Sequence, residues 1–235
     1  MTRWLPFAGV ALLSAVLASL GTAAVVQRSG GEHVRAYLLQ NPEVLQEAME
    51  RLRLKQTAAQ IAPHRAQIET PYAGAWIGAK DGDVTLVQFF DYACGYCRAS
   101  LPDVQRLVRE DPRVKVVFRE LPILSRESEV AARVSLGAAE QGKFAAFHDA
   151  MYATGRPAAQ TILVAAQSAG LDQTKLQAAI NAPRAEREIE QNIGLARTLG
   201  FTGTPSWVVG NQILSGAVGY EALKRAVATA RASRT

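Results

Sequence analysis

Cysteine is scarce in this sequence, with two residues in 235. A disulfide-rich scaffold and a four-cysteine zinc site are thereby excluded. Histidine is nearly as rare. The three histidines, His33, His64 and His148, lie far from the cysteines in sequence, so no metal site is expected there from zinc's usual four donors. Charge of one sign never accumulates. The 26 Lys and Arg are interleaved with 21 Asp and Glu. No run of five or six like charges occurs, which argues against a nucleic-acid partner. A mean hydropathy of +0.01 excludes a polytopic membrane protein. What the chain has is apolar material: 49% of residues, against 20% charged. That suffices for a core and is too much for a disordered chain. The length admits one or two domains of about 100–200 residues.

One long apolar run stands at the start. Residues 4–26 carry no charge between Arg3 and Arg28. Arg3 and the small residues Gly21, Thr22, Ala23 and Ala24 suit a cleaved signal peptide. The run also reaches the roughly 20 residues that a membrane anchor needs. Both readings of residues 1–26 put residues 30–235 outside the cytoplasm, where disulfide chemistry is permitted.

Residues 27–31 read as a linker. Val34, Tyr37 and Leu38 then have helical spacing. Asn41 and Pro42 suit an N-cap and a first helical position. Leu45, Met49 and Leu52 follow at i, i+4 and i+7, predicting a helix to about Ala62, before Pro63. Residues 32–68 thus form a helical segment with one narrow apolar stripe. The stripe must be covered by self-association or by the chain's own globular domain. Residues 70–82 are glycine-rich and read as loop. Val84–Phe90, nearly all apolar or β-branched, suits a strand buried on both faces. A helix over 99–110 and a second buried strand over 114–118 come next. Residues 127–199 are helical, broken at Gly142, Gly155–Pro157, Gly170 and Pro183. Ser206–Val209 and Gln212–Ser215 read as short strands around a Gly210–Asn211 turn, and residues 220–230 as a closing helix. The class is α/β with a helical insertion over about 125–198.

Both cysteines fall in one Cys-x-x-Cys, where a buried strand passes into a helix. On a first helical turn this spacing brings two sulfurs within disulfide reach. Cys94, at the helix N-terminus, meets free amides and the positive end of the dipole, which favour a thiolate. It is the expected nucleophile, an exposed anion that attacks a substrate disulfide. Cys97, one turn in, is expected to be buried and to resolve the mixed disulfide. Arg98 reads as a solvated side chain. The dipeptide Gly95-Tyr96 lacks a histidine, so the pair should be only mildly oxidising. Two thiolates also suit Cu(I), which leaves copper capture open.

The run GDVTLVQFFDYACGYCR over 82–98 resembles the DsbA family of thioredoxin-fold thiol:disulfide oxidoreductases. FRELPIL over 118–124, AAEQGKFAAFHDAMY over 138–152 and LGFTGTPSWVV over 199–209 are similar to further stretches of that family. The resemblance covers residues 70–232. It implies a thioredoxin-like fold with an inserted helical domain and a cis bond between Thr204 and Pro205. Such a bond would leave the Thr204 backbone free to pair with an extended substrate chain. Gly95, Tyr96 and the threonine before Pro205 are similar to those of the isomerases DsbC and DsbG. Residues 34–56 look like the N-terminal oligomerisation segment of suppressor-of-copper-sensitivity protein C. The resemblance therefore implies a periplasmic protein disulfide isomerase or reductase rather than a net oxidase, with a possible homotrimer through residues 32–62. Its clients would be unfolded or misoxidised proteins, and a membrane redox partner would reset the pair. No cofactor is expected beyond the redox-active pair itself. The family often has a glutamate six residues before the first cysteine; here that residue is Gln88, which leaves Asp91 and Glu120 as candidates for proton transfer. Tyr92 and Tyr96 are candidates for a substrate platform, and His148 reads as a packed residue.

Overall fold

A computed structural model describes residues 31–233, and the apolar run over 4–26 lies outside the described residues. Among the described residues no helix is long and apolar enough to cross a membrane. The chain divides between Arg53 and Leu54 into two units.

In the first unit, residues 31–40 form helix α1, and α2 (Glu43–Ile61) begins. Asn41 does not act as the expected N-cap. Its side-chain amide and backbone N–H both donate to the Tyr37 carbonyl, at 3.0 and 2.8 Å, and so close α1 instead. Leu45, Met49 and Leu52 are exposed, as are Val34, Tyr37 and Leu39.

The second unit starts inside α2. Thr57 Oγ1 donates to the Asn211 carbonyl at 2.7 Å, and Gln60 Nε2 to that of Thr198 at 2.7 Å. Pro63 cannot continue the ladder of hydrogen bonds. The chain turns through a 3₁₀ segment (Ala62–His64) into α3 (Arg65–Glu69). Ile61 and Ile68 are fully buried in the core. Residues 54–68 therefore belong to the globular unit, and the division falls earlier than the sequence pattern suggests. One apolar stripe hands over to another within a single helix, and periodicity does not mark the change.

Five strands form one sheet in the order β1-β3-β2-β4-β5: β1 (Trp76–Gly78), β2 (Val84–Phe90), β3 (Val114–Glu120), β4 (Ser206–Val209) and β5 (Gln212–Ser215). The β2/β3 pair is parallel and the other pairs are antiparallel. Strand β1 corrects the reading of 70–82 as loop throughout. Three residues are too few to show a two-residue period, and pairing with Val116 and Val117 makes the strand. Gly78 closes it at φ +87, where a Cβ would strike the Val114 carbonyl.

Strand β2 is covered on both faces. Leu86 and Phe90 join Val116 and Phe118 in one cluster with α4 (Gly95–Glu110) and α10 (Tyr220–Ala232). Val87 and Phe89 join Val117 and Val208 in another, with Ile61, Ile68 and Leu195. The insertion comprises α5 (Arg126–Glu140), α6 (Phe144–Thr154), α7 (Ala159–Ser168), α8 (Gln173–Ile180) and α9 (Pro183–Thr198). Its breaks fall at the expected glycines and at Pro183, which starts α9.

Arg119, which no sequence signal singles out, holds α3 and α9 to the sheet. It donates to the carbonyls of Gln67, Ile68 and Thr70 and to Asn192, and pairs with Glu188 at 2.6 Å.

Candidate active site

Strand β2 ends at Phe90, and four residues bring the chain round to α4. Asp91 shapes this turn. Its Oδ1 accepts from Ala93 N at 2.7 Å, and its Oδ2 from Ile123 N and Leu124 N, both at 2.9 Å. The Asp91 carbonyl accepts from Cys94 N at 3.0 Å and from the Tyr152 hydroxyl at 3.3 Å. Asp91 is thus an anchor with both carboxyl oxygens engaged.

Cys94 is the N-cap of α4, and its sulfur accepts from Cys97 N at 3.3 Å, where a serine or aspartate oxygen usually sits. Its Sγ lies 3.2 Å from the Thr204 carbonyl oxygen, to which the protonated thiol donates. The Thr204–Pro205 bond is cis, as the resemblance implied. The loop before β4 thereby presents the Thr204 backbone beside the Cys94 sulfur. Both cysteines are free thiols.

The two thiols have opposite tendencies. The Cys94 thiol is lowered from 9.0 to about 6, first by the hydrogen bond from the Cys97 side chain. Thr204 and the amides of Cys97 and Tyr96 add to this, and burial works against it. The Cys97 thiol is raised, first by burial and then by its bond to Cys94. The acidity of Cys94 and the burial of Cys97 are those expected from the spacing. The exposure is not: only 5% of Cys94 is accessible, so its sulfur sits in a narrow window. Short Cys side chains are covered by the cis-proline loop, a contact between residues 110 positions apart.

Tyr96 lies 70% exposed beside this window, with Ile123 and Leu124 also exposed. Gly95 is exposed too, and a Cβ there would meet open space. Tyr92, the other platform candidate, is buried. Its hydroxyl meets Ser135 Oγ at 3.0 Å and His148 Nδ1 at 3.1 Å. His148 is packed among Phe90, Phe118, Phe144 and Tyr152, and burial lowers its pKa to about 3, so it is a neutral core residue. Arg98 is not simply solvated; its guanidinium donates to the Gly155 carbonyl at the end of α6.

Gln88 and Glu120 are both buried. Burial pushes the Glu120 carboxyl well above its ordinary value. Asp91 and Glu188 add to the shift, and the Ser135 hydroxyl eases it. Among the described residues, no group of three or more His, Cys, Asp or Glu side chains is placed to hold a metal ion.

Over residues 85–228 the chain matches the family described as the DSBA-like thioredoxin domain. Over residues 31–59 it matches the copper resistance protein ScsC N-terminal domain. It is similar to a solved thioredoxin-like oxidoreductase from Silicibacter pomeroyi, with 43% identity and a TM-score of 0.67, covering 70% of this chain and 95% of that one. It is also similar to the catalytic domain of Proteus mirabilis ScsC, with 29% identity and a TM-score of 0.68, covering 74% and 98%. Among curated proteins, it is 32% identical over 161 residues to the Na(+)/H(+) antiporter NhaA 3 of Salinispora tropica. That match covers 66% of this chain but 24% of the relative, so the chain spans about a quarter of that protein's length. The match over more than half of the chain shows the family: the chain belongs to the DsbA-like thioredoxin-domain family, and residues 31–59, ahead of that domain, are similar to the ScsC N-terminal domain.

Proposed function

We propose that this chain is an extracytoplasmic thiol:disulfide oxidoreductase acting on the disulfides of unfolded or misoxidised proteins. The observation that carries the proposal is the Cys94 sulfur, acidified by Cys97 and set 3.2 Å from the Thr204 carbonyl of the cis-proline loop. An extended client chain pairs with the Thr204 backbone, which presents its disulfide to Cys94. The Cys94 thiolate attacks one client sulfur, the client S–S bond breaks, and the other client sulfur leaves as a thiolate. Cys97 then attacks Cys94, releases the second client thiolate, and leaves a Cys94–Cys97 disulfide. The client gains two electrons and the pair loses two. No metal or organic cofactor enters.

The direction we favour is isomerase or reductase work. A Cys94 pKa of about 6 lies nearer thioredoxin, at about 7, than the strong oxidant DsbA, at about 3.5. A less acidic thiolate is a poorer leaving group and a less stabilised reduced form, so the pair accepts electrons less readily. A membrane partner resets the pair, and the exposed stripe on α1 and α2 assembles a homotrimer. The site of action is the periplasm, with the protein either free after removal of a signal peptide or tethered by residues 4–26.

The deciding experiment uses two variants. Cys94→Ser abolishes exchange, whereas Cys97→Ser accumulates mixed disulfides with clients; absence of such adducts sinks the proposal. Refolding of a scrambled disulfide substrate, read with the reduction potential, settles direction. A potential as high as that of DsbA without refolding activity makes the protein a net oxidase. Tight Cu(I) binding with no exchange makes it a copper carrier.

A further inference from the structure

Beside the reactive turn opens a cleft that the exchange described above does not use. It measures about 410 Å³ and is lined by Ala93, Leu124, Ser125, Glu127, Arg156 and Pro157. Ala93 is the residue before Cys94, so the cleft adjoins the cysteine pair. The cis-proline loop contributes none of its lining.

The walls are fixed through the backbone. Asp91 accepts from Ala93 N on one carboxyl oxygen and from Ile123 N and Leu124 N on the other, which ties the floor to the first wall. Ser125 continues that wall and caps α5, its Oγ accepting from Ser128 N at 3.1 Å. The α6–α7 turn supplies the second wall. Arg98, from α4, donates to the Gly155 carbonyl, and Thr161 Oγ1 donates to that of Arg156 at 2.8 Å. Two side chains on these fixed walls stay uncommitted. Glu127 and Arg156 are exposed, and neither forms an ion pair or a side-chain hydrogen bond among the described residues.

An extended client stands in a set relation to such a cleft. Its cysteine faces Cys94 while its backbone runs beside Thr204. Side chains of an extended chain alternate between faces, and the next one on the cysteine's face lies roughly 6.5–7 Å away. The residue two positions from the client cysteine is therefore the one that a recess adjoining Cys94 receives. Charge selects among such residues. Arg156 offers a free guanidinium, and the Arg98 guanidinium sits at the neighbouring Gly155, its Nε buried without a partner. Glu127 opposes them alone. A guanidinium holds a carboxylate through two parallel hydrogen bonds, a geometry that an ammonium facing Glu127 cannot match.

We propose that this cleft is a specificity subsite, in which Arg156 binds an acidic side chain two residues from the client cysteine. The assignment rests on the dithiol exchange proposed above and narrows its clients to those with a carboxylate at that place. Glu127 limits the preference. No bond changes in the subsite; it brings the client disulfide to Cys94 and orients it there.

The test uses reduced protein and short peptides whose single cysteine carries an uncharged 2-pyridyl disulfide. The Cys94 thiolate bonds to the peptide sulfur, the S–S bond breaks, and 2-thiopyridone leaves with the electron pair and reports the rate by its absorbance. The peptides differ only in having Glu, Gln or Lys two positions before or after the cysteine. At low ionic strength, in one of the two placements, the Glu peptide should react about 2- to 5-fold faster than the Lys peptide, the gain of an exposed ion pair. Added salt should shrink the gap. Arg156→Glu should reverse the order, and Glu127→Gln should widen it. Lys80→Glu makes the same change of charge at an exposed position before β2, at the other end of that strand from Cys94, and should leave the order intact. The subsite is refuted if Arg156→Glu keeps the wild-type ratio, or if Lys80→Glu shifts the ratio as far. Bis(2-pyridyl) disulfide, small and uncharged, tests the exchange itself, which fails separately if Cys94→Ser reacts with it as fast as the wild type.

Discussion

Cys94 is a sulfur doing the work of a helix cap. Because its charge is stabilised by groups that only folding assembles, its reactivity should follow a titration displaced from that of a free cysteine. Alkylation by iodoacetamide is expected to show a midpoint near pH 6, and a midpoint near 9 would refute the site as described. The same displacement bears on stability. The folded pKa is depressed, so the reduced protein gains stability relative to its unfolded chain between about pH 6 and 9 and loses it as pH falls through 6. The disulfide form lacks this dependence, and thermal melts of the two forms across pH 5–9 measure the difference. Glu120 has the opposite sign. Its folded pKa is raised, so the unfolded chain ionises it above about 4.5 and gains relative to the fold. Glu120→Gln should therefore raise the melting temperature at pH 7, with the gain vanishing near pH 4. The opposite tendencies of the Cys94 and Cys97 thiols were legible because their spacing acts within one helical turn. The near-complete covering of Cys94 was not, because the residues that cover it arrive from 110 positions away.

At the scale of elements, strands β2, β4 and β5 were readable to the residue. Their sequences are dense in β-branched and aromatic side chains, and glycine or polar turns flank them. Strand β3 runs two residues beyond its apolar stretch, through Arg119 and Glu120. Arg119 is tolerated inside because it meets specific partners, whereas burial raises the Glu120 carboxyl and favours its neutral form. Arg119 draws together α3, α9 and the sheet, and its loss leaves Glu188 charged beside three unsatisfied carbonyls. Arg119→Ala is expected to cost about 3–5 kcal/mol, the usual penalty for breaking a buried pair, measured by denaturant unfolding. A loss below about 1 kcal/mol would put the pair in the class of surface salt bridges. Nothing in local sequence announces this clamp, since its partners come from two helices about 50 and 70 residues away.

At the scale of the whole chain, the division into two units falls inside α2. From Leu54 onward the chain belongs to the globular unit, through Thr57, Gln60 and the buried Ile61. A chain beginning at Leu54 should therefore fold and retain disulfide exchange. One lacking residues 32–62 also loses Ile61, a fully buried side chain whose removal costs about 2–5 kcal/mol, and should melt at a lower temperature. Sedimentation tests the other side of the joint. The full chain is expected to run as a trimer and the Leu54 truncation as a monomer, and a full chain that runs as a monomer rules out assembly through the stripe.

Residue order alone decided the parts that depend on near neighbours: the strand–turn–helix carrying the cysteines, the acidity expected at the first of them, the glycine and proline breaks in the insertion, and the apolar stripe near the start. Each follows from backbone geometry and side-chain spacing over a turn or two, and needs no knowledge of what packs beyond. Tertiary structure decided which carboxyl was buried with an oxygen unpartnered, how little of the Cys94 sulfur faces water, what role Arg119 took, and where one unit gives way to the next. Those outcomes depend on which distant side chains exclude water from a given atom, and burial of that kind is a property of the assembled fold.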